Sequence, residues 1–169
     1  MVILRNIDDS FLECSYSWFQ DDDFLRSIDA TPVTFDDQKV WFAQLNSRLD
    51  YWVKGVWFDD KWIGAVGLKR IAHNDVCKEK SAEYFGYIYP RELRRRGLGL
   101  QAYFKVEEFA TNLGLQKIYL KVVEGNEAAL AAYIKWGFEV DYVIEGEVNL
   151  IVMSKSNNKQ HTVGKGNFL

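Results

Sequence analysis

Three arginines followed by two glycines form the segment of this chain whose chemistry is easiest to interpret. The segment joins a strand-like stretch that ends at Tyr89-Pro90 to a helical pattern that begins near Leu98. Backbone N–H groups at the start of a helix are unpaired and lie at the positive end of the helix dipole. Because glycine lets a phosphate approach these groups, the segment predicts a site for a multiply phosphorylated ligand. Its residues are Arg94, Arg95, Arg96, Gly97, Leu98 and Gly99.

Other interpretations of the arginine–glycine segment differ in how well the spacing supports them. A solvated basic surface requires no ligand and remains an alternative. The pattern Gly97-x-Gly99-x-x-Ala102 matches a dinucleotide-binding fingerprint, but the mostly charged residues 90–96 separate it from the strand, and residues 117–121 contain no acid. A Walker P-loop is excluded because no Gly-Lys-Ser/Thr follows.

A second segment, residues 126–139, lies one predicted strand and one predicted helix downstream. It reads Asn-x-x-Ala-x-x-x-Tyr-x-x-x-Gly-Phe, from Asn126 through Tyr133 to Gly137-Phe138. The first segment fits Arg/Gln-x-x-Gly-x-Gly/Ala, and at this separation the two motifs together resemble the GNAT family of acetyl-CoA-dependent N-acetyltransferases. The resemblance covers about residues 51–153 well and the N-terminal helices loosely.

The resemblance implies how acetyl-CoA would bind. The fourth and fifth strands of the sheet would part to admit its pantetheine arm. Backbone N–H groups of residues 95–99 would bind the pyrophosphate, with Arg94 near the 3′-phosphate, and Asn126 would hydrogen-bond the cofactor near its arm. The strand residues whose backbone would pair with the pantetheine amides are Tyr87, Ile88 and Tyr89.

For catalysis, the resemblance assigns Tyr133 as the general acid. An amine attacks a thioester only when it is neutral, so the site must accept a proton. The oxyanion needs a donor, which we expect to be a backbone N–H near Ile88, and the thiolate leaving group benefits from a proton that a phenol can supply. The alternative for Tyr133 is a buried helix tyrosine that packs on the sheet.

Glu83 is the candidate base, because a carboxylate at this strand position resembles one found in many GNAT enzymes, acting directly or through water. Related enzymes often have glycine two residues later, where this chain has Phe85, and its glycine is Gly86. Since strand side chains alternate, a slip of one residue or a bulge decides whether Glu83 faces the cleft. A solvated carboxylate is the alternative, and Glu79 is the reserve candidate.

Aromatic residues near the N-terminus are candidates for binding the amine that accepts the acetyl group. Residues 16–42 resemble the branch that includes ribosomal-protein N-terminal and nucleotide-linked amino-sugar acetyltransferases, in which the first helices wall the acceptor pocket. Trp18 and Trp41 would stack on a base or sugar there, although tryptophans at helical spacing also occur in cores. We expect the acetyl group to pass directly from acetyl-CoA to the primary amine of a small molecule. A nucleotide-linked amino sugar is the first candidate acceptor. A protein N-terminus, a polyamine and a non-catalytic acyl-CoA-binding module are the alternatives.

The elements that position these residues follow the order β-α-α-β-β-β-α-β-α-β-β. Consecutive strands followed by alternating helices and strands predict an α/β fold with a mixed, mostly antiparallel sheet and helices on both faces. The resemblance adds the splayed GNAT sheet. We expect one acetyltransferase domain over residues 1–154 and a polar tail over 155–169, with the strand at 147–153 able to support a homodimer.

Composition narrows the class of protein. The chain has 169 residues, 48% hydrophobic residues, and a net charge of −3, which argues against a nucleic-acid partner. No apolar stretch is long enough to span a bilayer, so we expect a soluble, cytoplasmic protein with no membrane partner. The isolated Cys14, Cys77, His73 and His161 predict no metal site, and the cysteines lie outside the motif segments where a covalent relay would be expected.

Overall fold

The computed structural model describes residues 1–71 and 80–157. Its strands are β1 (Ile3–Arg5), β2 (Tyr51–Phe58), β3 (Lys61–Lys69), β4 (Ser81–Ile88), β5 (Lys117–Val123), β6 (Glu139–Ile144) and β7 (Leu150–Ser156). Its α-helices are α1 (Asp9–Tyr16), α2 (Asp22–Ser27), α3 (Phe35–Gln44), α4 (Leu98–Asn112) and α5 (Glu127–Lys135). Short 3₁₀ turns occupy Trp18–Gln20, Leu45–Ser47 and Arg91–Leu93.

All seven strands form one sheet in the order β1-β2-β3-β4-β5-β7-β6. Only the β4–β5 pair is parallel, and the other neighbours are antiparallel. One buried cluster packs the sheet against α4, and a second packs its other face against α1 and α2. The predicted fold class, a mixed and mostly antiparallel sheet with helices on both faces, is confirmed.

The helices begin at capping residues that the sequence makes recognisable. Thr34 caps α3 in a reciprocal capping box, because its hydroxyl accepts from the Asp37 N–H while the Asp37 carboxylate accepts from the Thr34 N–H. Asp21 caps α2 by accepting from the Phe24 N–H at 3.1 Å. The apolar spacing of residues 10–28 predicts a helical stretch that the acidic run at 21–23 interrupts, and the structure has two helices there, α1 and α2.

The sheet splays between β4 and β5, as the fold class predicts. Pairing of these strands is confined to Ser81–Glu83 against Lys117–Tyr119. Beyond that point β4 stays paired with β3 as far as Ile88, while β5 stays paired with β7 as far as Val123. A gap therefore opens along the second half of β4, whose outer edge pairs with no other strand of the described residues.

The last two strands, β6 and β7, pair as an antiparallel hairpin. The strand expected at 147–153 corresponds to β7, which is not the exposed strand of this hairpin. β7 lies between β5 and β6 and is paired on both sides, whereas β6 is the sheet edge and is exposed along its length. The strand at 147–153 is thus unavailable for the pairing that the homodimer prediction used. β7 also continues to Ser156, two residues past the predicted end of the domain, and residues 158–169 of the predicted tail lie outside the described part.

The described residues can be compared with the expectations of no membrane partner and no metal site. None of the helices in these residues combines the length and apolar character that crossing a membrane requires. Over the same residues, no three His, Cys, Asp or Glu side chains are grouped so as to hold a metal ion. His73, Cys77 and the reserve base Glu79 lie in the undescribed residues 72–79, and His161 lies beyond residue 157.

Candidate active site

A cavity of about 1180 Å³ extends along the gap between β4 and β5. Residues from both sides of the sheet line it, so it connects the face covered by α1–α3 with the face covered by α4 and α5. Of the predicted site residues, those in its walls are Trp41, Glu83, Tyr87, Ile88, Arg94, Arg95, Gly97, Leu98, Gly99, Asn126 and Tyr133.

The glycine loop presents unpaired backbone N–H groups at the start of α4. Gly97 is the N-cap residue, with φ of 74° in the left-handed region, and no side chain of the described residues caps the helix. Nothing lies within 4 Å of the position where a Cβ on Gly97 would be. Arg95 also adopts a positive φ, of 61°, which turns the chain into the helix. The first turn of α4 is therefore open to an anion.

The three arginines of the loop differ in what they contact. Arg94 donates to the carbonyl oxygens of Ile88 at 3.2 Å and Tyr89 at 3.1 Å, so its guanidinium holds the end of β4. Arg95 lines the cavity with an exposed side chain. The guanidinium of Arg96 lies 5.9 Å from the Phe58 ring centroid, and Arg96 is absent from the cavity wall.

Strand alternation decides which β4 backbone groups face the gap. Tyr89 donates its N–H to the carbonyl of Ile63 at 2.9 Å, so its backbone faces β3. The close approach of the Tyr87 carbonyl oxygen to Gly64 shows the same orientation for Tyr87. Since backbone groups alternate sides along a strand, Ile88 faces the open edge. Of the three residues expected to pair with pantetheine, only Ile88 is oriented for it.

Tyr133 lies in the cavity wall on α5. Its ring packs edge-on against Trp136, Phe138 and Tyr84, and none of the described residues hydrogen-bonds with its hydroxyl. Burial raises the pKa of Tyr133 to about 12. A phenol with this pKa carries its proton at neutral pH, which is the protonation state that a general acid requires.

Asn126 has its side chain committed at both ends. Its Oδ1 accepts from the Ala129 N–H at 3.2 Å and caps α5, while its Nδ2 donates to the carbonyl of Ser27 at 3.0 Å. The second contact ties α5 to the end of α2 across the cavity. Asn126 therefore holds this part of the cavity wall in place. Its second Nδ2 hydrogen is available to donate to a ligand.

Glu83 faces the cavity and is only 3% exposed, so the alternative of a solvated carboxylate is wrong. The β3–β4 register has no bulge, which places Glu83 on the same face as Phe85 and Tyr87. Its Oε1 contacts the Lys69 ammonium at 3.2 Å, and its Oε2 contacts the Arg70 guanidinium closely.

A third cation completes the surroundings of this carboxylate. The Lys121 ammonium lies 3.9 Å from Glu83 Oε2. All three cations carry side chains that are partly exposed, at 38%, 58% and 30% for Lys69, Arg70 and Lys121. Arg70 has a φ of 54°, an uncommon conformation for a residue with a side chain. We call these three residues the cationic cluster.

The two tryptophans expected to bind the acceptor have different surroundings. Trp18 is 4% exposed, stacks on Tyr89 with ring centroids 5.3 Å apart and does not line the cavity, so it belongs to the core. Trp41 is half-buried, lines the cavity and packs edge-on against Tyr51 with ring centroids 6.5 Å apart. Helical spacing alone does not distinguish these two placements.

The sequence reasoning missed several residues that the cavity contains. Gln38 precedes Trp41 by one helical turn, so the same face of α3 brings both to the cavity, a relation that the helical period could have shown. The cationic cluster depends on the register of β3, β4 and β5. Spacing along the chain carries no signal of that register.

Comparison with known proteins agrees with this architecture. The model of the acetyltransferase (GNAT) family matches residues 7–138. No curated protein is significantly similar to the chain in sequence. Spermidine N-acetyltransferase from Vibrio cholerae, solved in complex with CoA and spermine, superposes with a TM-score of 0.81 at 20% identity, covering 92% of this chain and 95% of that one.

Two further solved structures share the fold. A domain from Methanocaldococcus jannaschii gives a TM-score of 0.76 at 18% identity over 92% of this chain and 98% of that one. A candidate phosphinothricin N-acetyltransferase gives 0.75 at 18% identity over 94% of this chain and 100% of that one. At these identities the likeness extends to the fold, and the family assignment rests on the match over residues 7–138.

Proposed function

Because the chain belongs to the acetyltransferase (GNAT) family, we propose that it binds acetyl-CoA in the gap between β4 and β5 and transfers the acetyl group directly to the primary amine of a small molecule. The observation that carries this proposal is the open edge of β4, flanked by the uncapped start of α4 and the hydroxyl of Tyr133. A phosphate, an extended amide chain and a thiol leaving group each have a matching partner there.

The fit to acetyl-CoA can be judged from the residues present. The N–H groups of Leu98 and Gly99 lie in the first turn of α4, where no side chain of the described residues competes for them. Arg95 adds a positive charge beside them. No described residue other than the chain neighbours of Gly97 has an atom within 4 Å of a Cβ on Gly97, which leaves space for a pyrophosphate. These features match a cosubstrate that supplies an activated acetyl thioester.

The chain's own groups would divide the chemistry between them. The Ile88 N–H, on the open edge of β4, would donate to the reacting carbonyl oxygen as that oxygen gains charge. The Tyr133 hydroxyl would give its proton to the departing sulfur. Neither step requires a cysteine nucleophile, and Cys14 does not line the cavity. Cys77 lies outside the described residues.

The role of Glu83 follows from its contacts. Both of its oxygens are engaged by the cationic cluster, so it accepts a proton from the amine only if one of these ion pairs opens or if water intervenes. Holding three cations in place requires no such opening. We therefore propose that Glu83 chiefly positions the cluster and that the amine loses its proton to solvent water in the cavity. Glu83 as the base that takes this proton is the second possibility.

The identity of the acceptor amine is open to three proposals. A nucleotide-linked amino sugar suits the aromatic wall formed by Trp41, Tyr51 and Phe85. The Vibrio cholerae neighbour is a spermidine acetyltransferase, which supports a polyamine instead. A protein N-terminus is the third. A cytoplasmic location and a homodimer stay predictions.

The test of the proposed function is thiol release from acetyl-CoA with a panel of amines, alongside calorimetry with CoA. The panel contains nucleotide-linked amino sugars, polyamines and peptides with free N-termini. Saturable release with one class establishes the acetyltransferase and its acceptor. Tight CoA binding without release from any amine would indicate an acyl-CoA-binding module, and failure to bind CoA would refute the proposal.

Replacing Arg95 with glutamine is expected to weaken CoA binding by about five- to tenfold, because Arg95 lines the cavity beside the start of α4. The loss should shrink as salt is raised, since part of it is electrostatic. Arg96→Gln is the matched control, because Arg96 lies over Phe58 outside the cavity. Calorimetry at two salt concentrations measures both, and equal losses from the two variants would contradict the assignment.

Replacing Glu83 with glutamine is expected to lower the free energy of unfolding by about 2 kcal/mol, because three cations lose their shared, buried carboxylate while water screens their exposed parts. We expect kcat to fall by less than about tenfold and KM for the acceptor to rise. Urea unfolding and steady-state kinetics measure the two effects.

The control for this variant is Glu107→Gln. Glu107 is also partly buried and paired, with Lys155 at 2.6 Å, but it lies outside the cavity. It should lose stability without a change in KM. A fall in kcat of about 100-fold or more in the Glu83 variant, with stability unchanged, would instead establish Glu83 as the base.

A further inference from the structure

We propose that the acceptor is an extended amine with an anionic group at the end remote from the reacting nitrogen, and that the cationic cluster binds this group while Gln38 binds a hydrogen-bond donor of the same molecule. The inference rests on the proposed acetyl transfer and narrows its substrate class. The anionic group is a phosphoryl group or a carboxylate, which share the chemistry that lysine and arginine recognise.

The cationic cluster has more positive charge than its own contacts neutralise. Among the described residues, Glu83 is the one carboxylate within ion-pair distance of Lys69, Arg70 and Lys121. All three line the cavity and keep part of their side chains exposed. A group of three cations around one carboxylate attracts a further anion and repels a polycation.

The row of residues across the sheet shows where this charge sits relative to the aromatic wall. Tyr51 pairs with Lys69, and Lys69 pairs with Glu83, on adjacent strands. Directly paired residues project from the same face of a sheet, so the cluster lies beside Tyr51 and the Trp41 ring that packs on it. An acceptor stacked on this wall would have one end at the cluster.

The length of the acceptor follows from β4. Glu83 and Ile88 are five residues apart on this strand, which corresponds to roughly 16 Å between their Cα atoms at the usual rise. Lysine and arginine side chains reach part of that distance. The anionic group is therefore separated from the amine by many bonds, which excludes the α-carboxylate of a simple amino acid as the group that binds here.

Gln38 provides an independent sign of a ligand. Its side chain is in the cavity wall of α3 and the residue is 7% exposed, yet its Oε1 has no hydrogen-bond partner in the described structure. A buried polar atom left unpaired is costly, and such atoms are rare in folded proteins. A hydroxyl or N–H of the acceptor would satisfy it.

The charge of the site argues against the polyamine alternative. The Vibrio cholerae neighbour was solved with spermine, which is a polycation. A second ammonium group near Lys69, Arg70 and Lys121 would be repelled by all three. Shared fold with that neighbour, at 20% identity, does not extend to the acceptor.

The experiment compares amines that differ only in their remote end. One series is 6-aminohexanol, 6-aminohexanoate, 6-aminohexyl phosphate and 1,6-diaminohexane, and a second pair is glucosamine and glucosamine 6-phosphate. We expect kcat/KM to be at least about tenfold higher for the anionic member of each set than for its neutral analogue, and lowest for the diamine. The carboxylate and phosphate arms distinguish the two anion sources.

Charge-removing variants connect the preference to the cluster. In the double variant Arg70→Gln with Lys121→Gln, kcat/KM should fall at least about fivefold further for the anionic amines than for the neutral ones. Lys105→Gln, on the exposed side of α4, is the matched control and should change neither. CoA affinity should be the same in all three proteins.

Gln38→Leu tests the second contact separately. We expect KM to rise for the neutral and the anionic amines alike, with the melting temperature unchanged or higher because a buried unpaired atom is removed. A lower melting temperature with unchanged KM would show that Gln38 has only a structural role.

The outcomes distinguish this inference from the proposed function. Faster turnover of the diamine or the neutral amines than of the anionic ones would overturn the inference and leave acetyl transfer standing. Equal turnover of all of them, insensitive to the cluster variants, would overturn it as well. Absence of thiol release with every amine, together with absent CoA binding, would refute the proposed function itself.

Discussion

Replacing Tyr133 with phenylalanine is expected to lower kcat for acetyl transfer by about 10²–10³-fold while leaving the affinity for CoA within about twofold. Phenylalanine keeps the ring that packs against Trp136 and Phe138, so the cavity wall should be unchanged. What it removes is the hydroxyl, which is the group that we propose protonates the departing thiolate.

The pH dependence gives this prediction a second readout. Burial raises the pKa of Tyr133 to about 12, so the phenol carries its proton throughout the pH range in which the enzyme can be assayed. The acid would stay competent as pH rises, and we expect no alkaline decline in wild-type kcat from this group below pH of about 11. Any acidic decline reports the protonation of the amine or of another group.

Tyr103→Phe is the matched control for Tyr133→Phe. Tyr103 lies in the same aromatic cluster, but its hydroxyl donates to Glu107 at 3.1 Å and it does not line the cavity. Its loss should reduce stability by about 1 kcal/mol and leave kcat unchanged. Steady-state and single-turnover kinetics would measure both variants, and equal rates for Tyr133→Phe and wild type would remove Tyr133 from the mechanism.

The features that sequence analysis predicted well are those set by local chemistry. The family is confirmed, and its prediction depended on motifs within two short segments, the arginine–glycine loop and residues 126–139. The fold class is confirmed as well, and its prediction depended on the order of strands and helices along the chain. The cap at Thr34 is likewise local, because a capping box involves a few neighbouring residues.

The features that it did not predict depend on contacts between distant segments. Trp18 and Trp41 share a residue type and a helical context, and packing alone decides that Trp18 lies in the core. The exposed edge strand is β6 rather than β7, because β7 inserts between β5 and β6. Spacing along the chain does not encode which strand will pair with two neighbours.

Strand register explains the remaining differences at the site. The direction of the Tyr87 and Tyr89 backbones toward β3 follows from the β3–β4 ladder. The same ladder brings Lys69 beside Glu83, and the short β4–β5 pairing brings Lys121 within reach. A shift of one residue in the β3–β4 pairing would reverse every one of these orientations. The arrangement of the site can therefore be predicted only when the register is known.

The β3–β4 pairing includes a point where the two backbones approach closely, at Gly64. Gly64 on β3 pairs with Ile88, and a Cβ at position 64 would overlap the Tyr87 carbonyl oxygen and lie 3.0 Å from its carbonyl carbon. Backbone atoms cannot rotate away as a side chain would. An added methyl group must therefore push β4 away from β3 at the point where β4 faces the gap.

Gly64→Ala is accordingly expected to lower the free energy of unfolding by about 3 kcal/mol, and to weaken CoA binding by at least about tenfold in the fraction that folds, because Ile88 moves with the strand. Gly125→Ala is the control, since nothing lies within 4 Å of a Cβ there and its φ is not positive. Urea unfolding and calorimetry with CoA measure both. The contrary result is a Gly64→Ala variant that matches the control in both its free energy of unfolding and its affinity for CoA. In that case the close β3–β4 approach does not set the position of Ile88, and the open edge of β4 tolerates displacement.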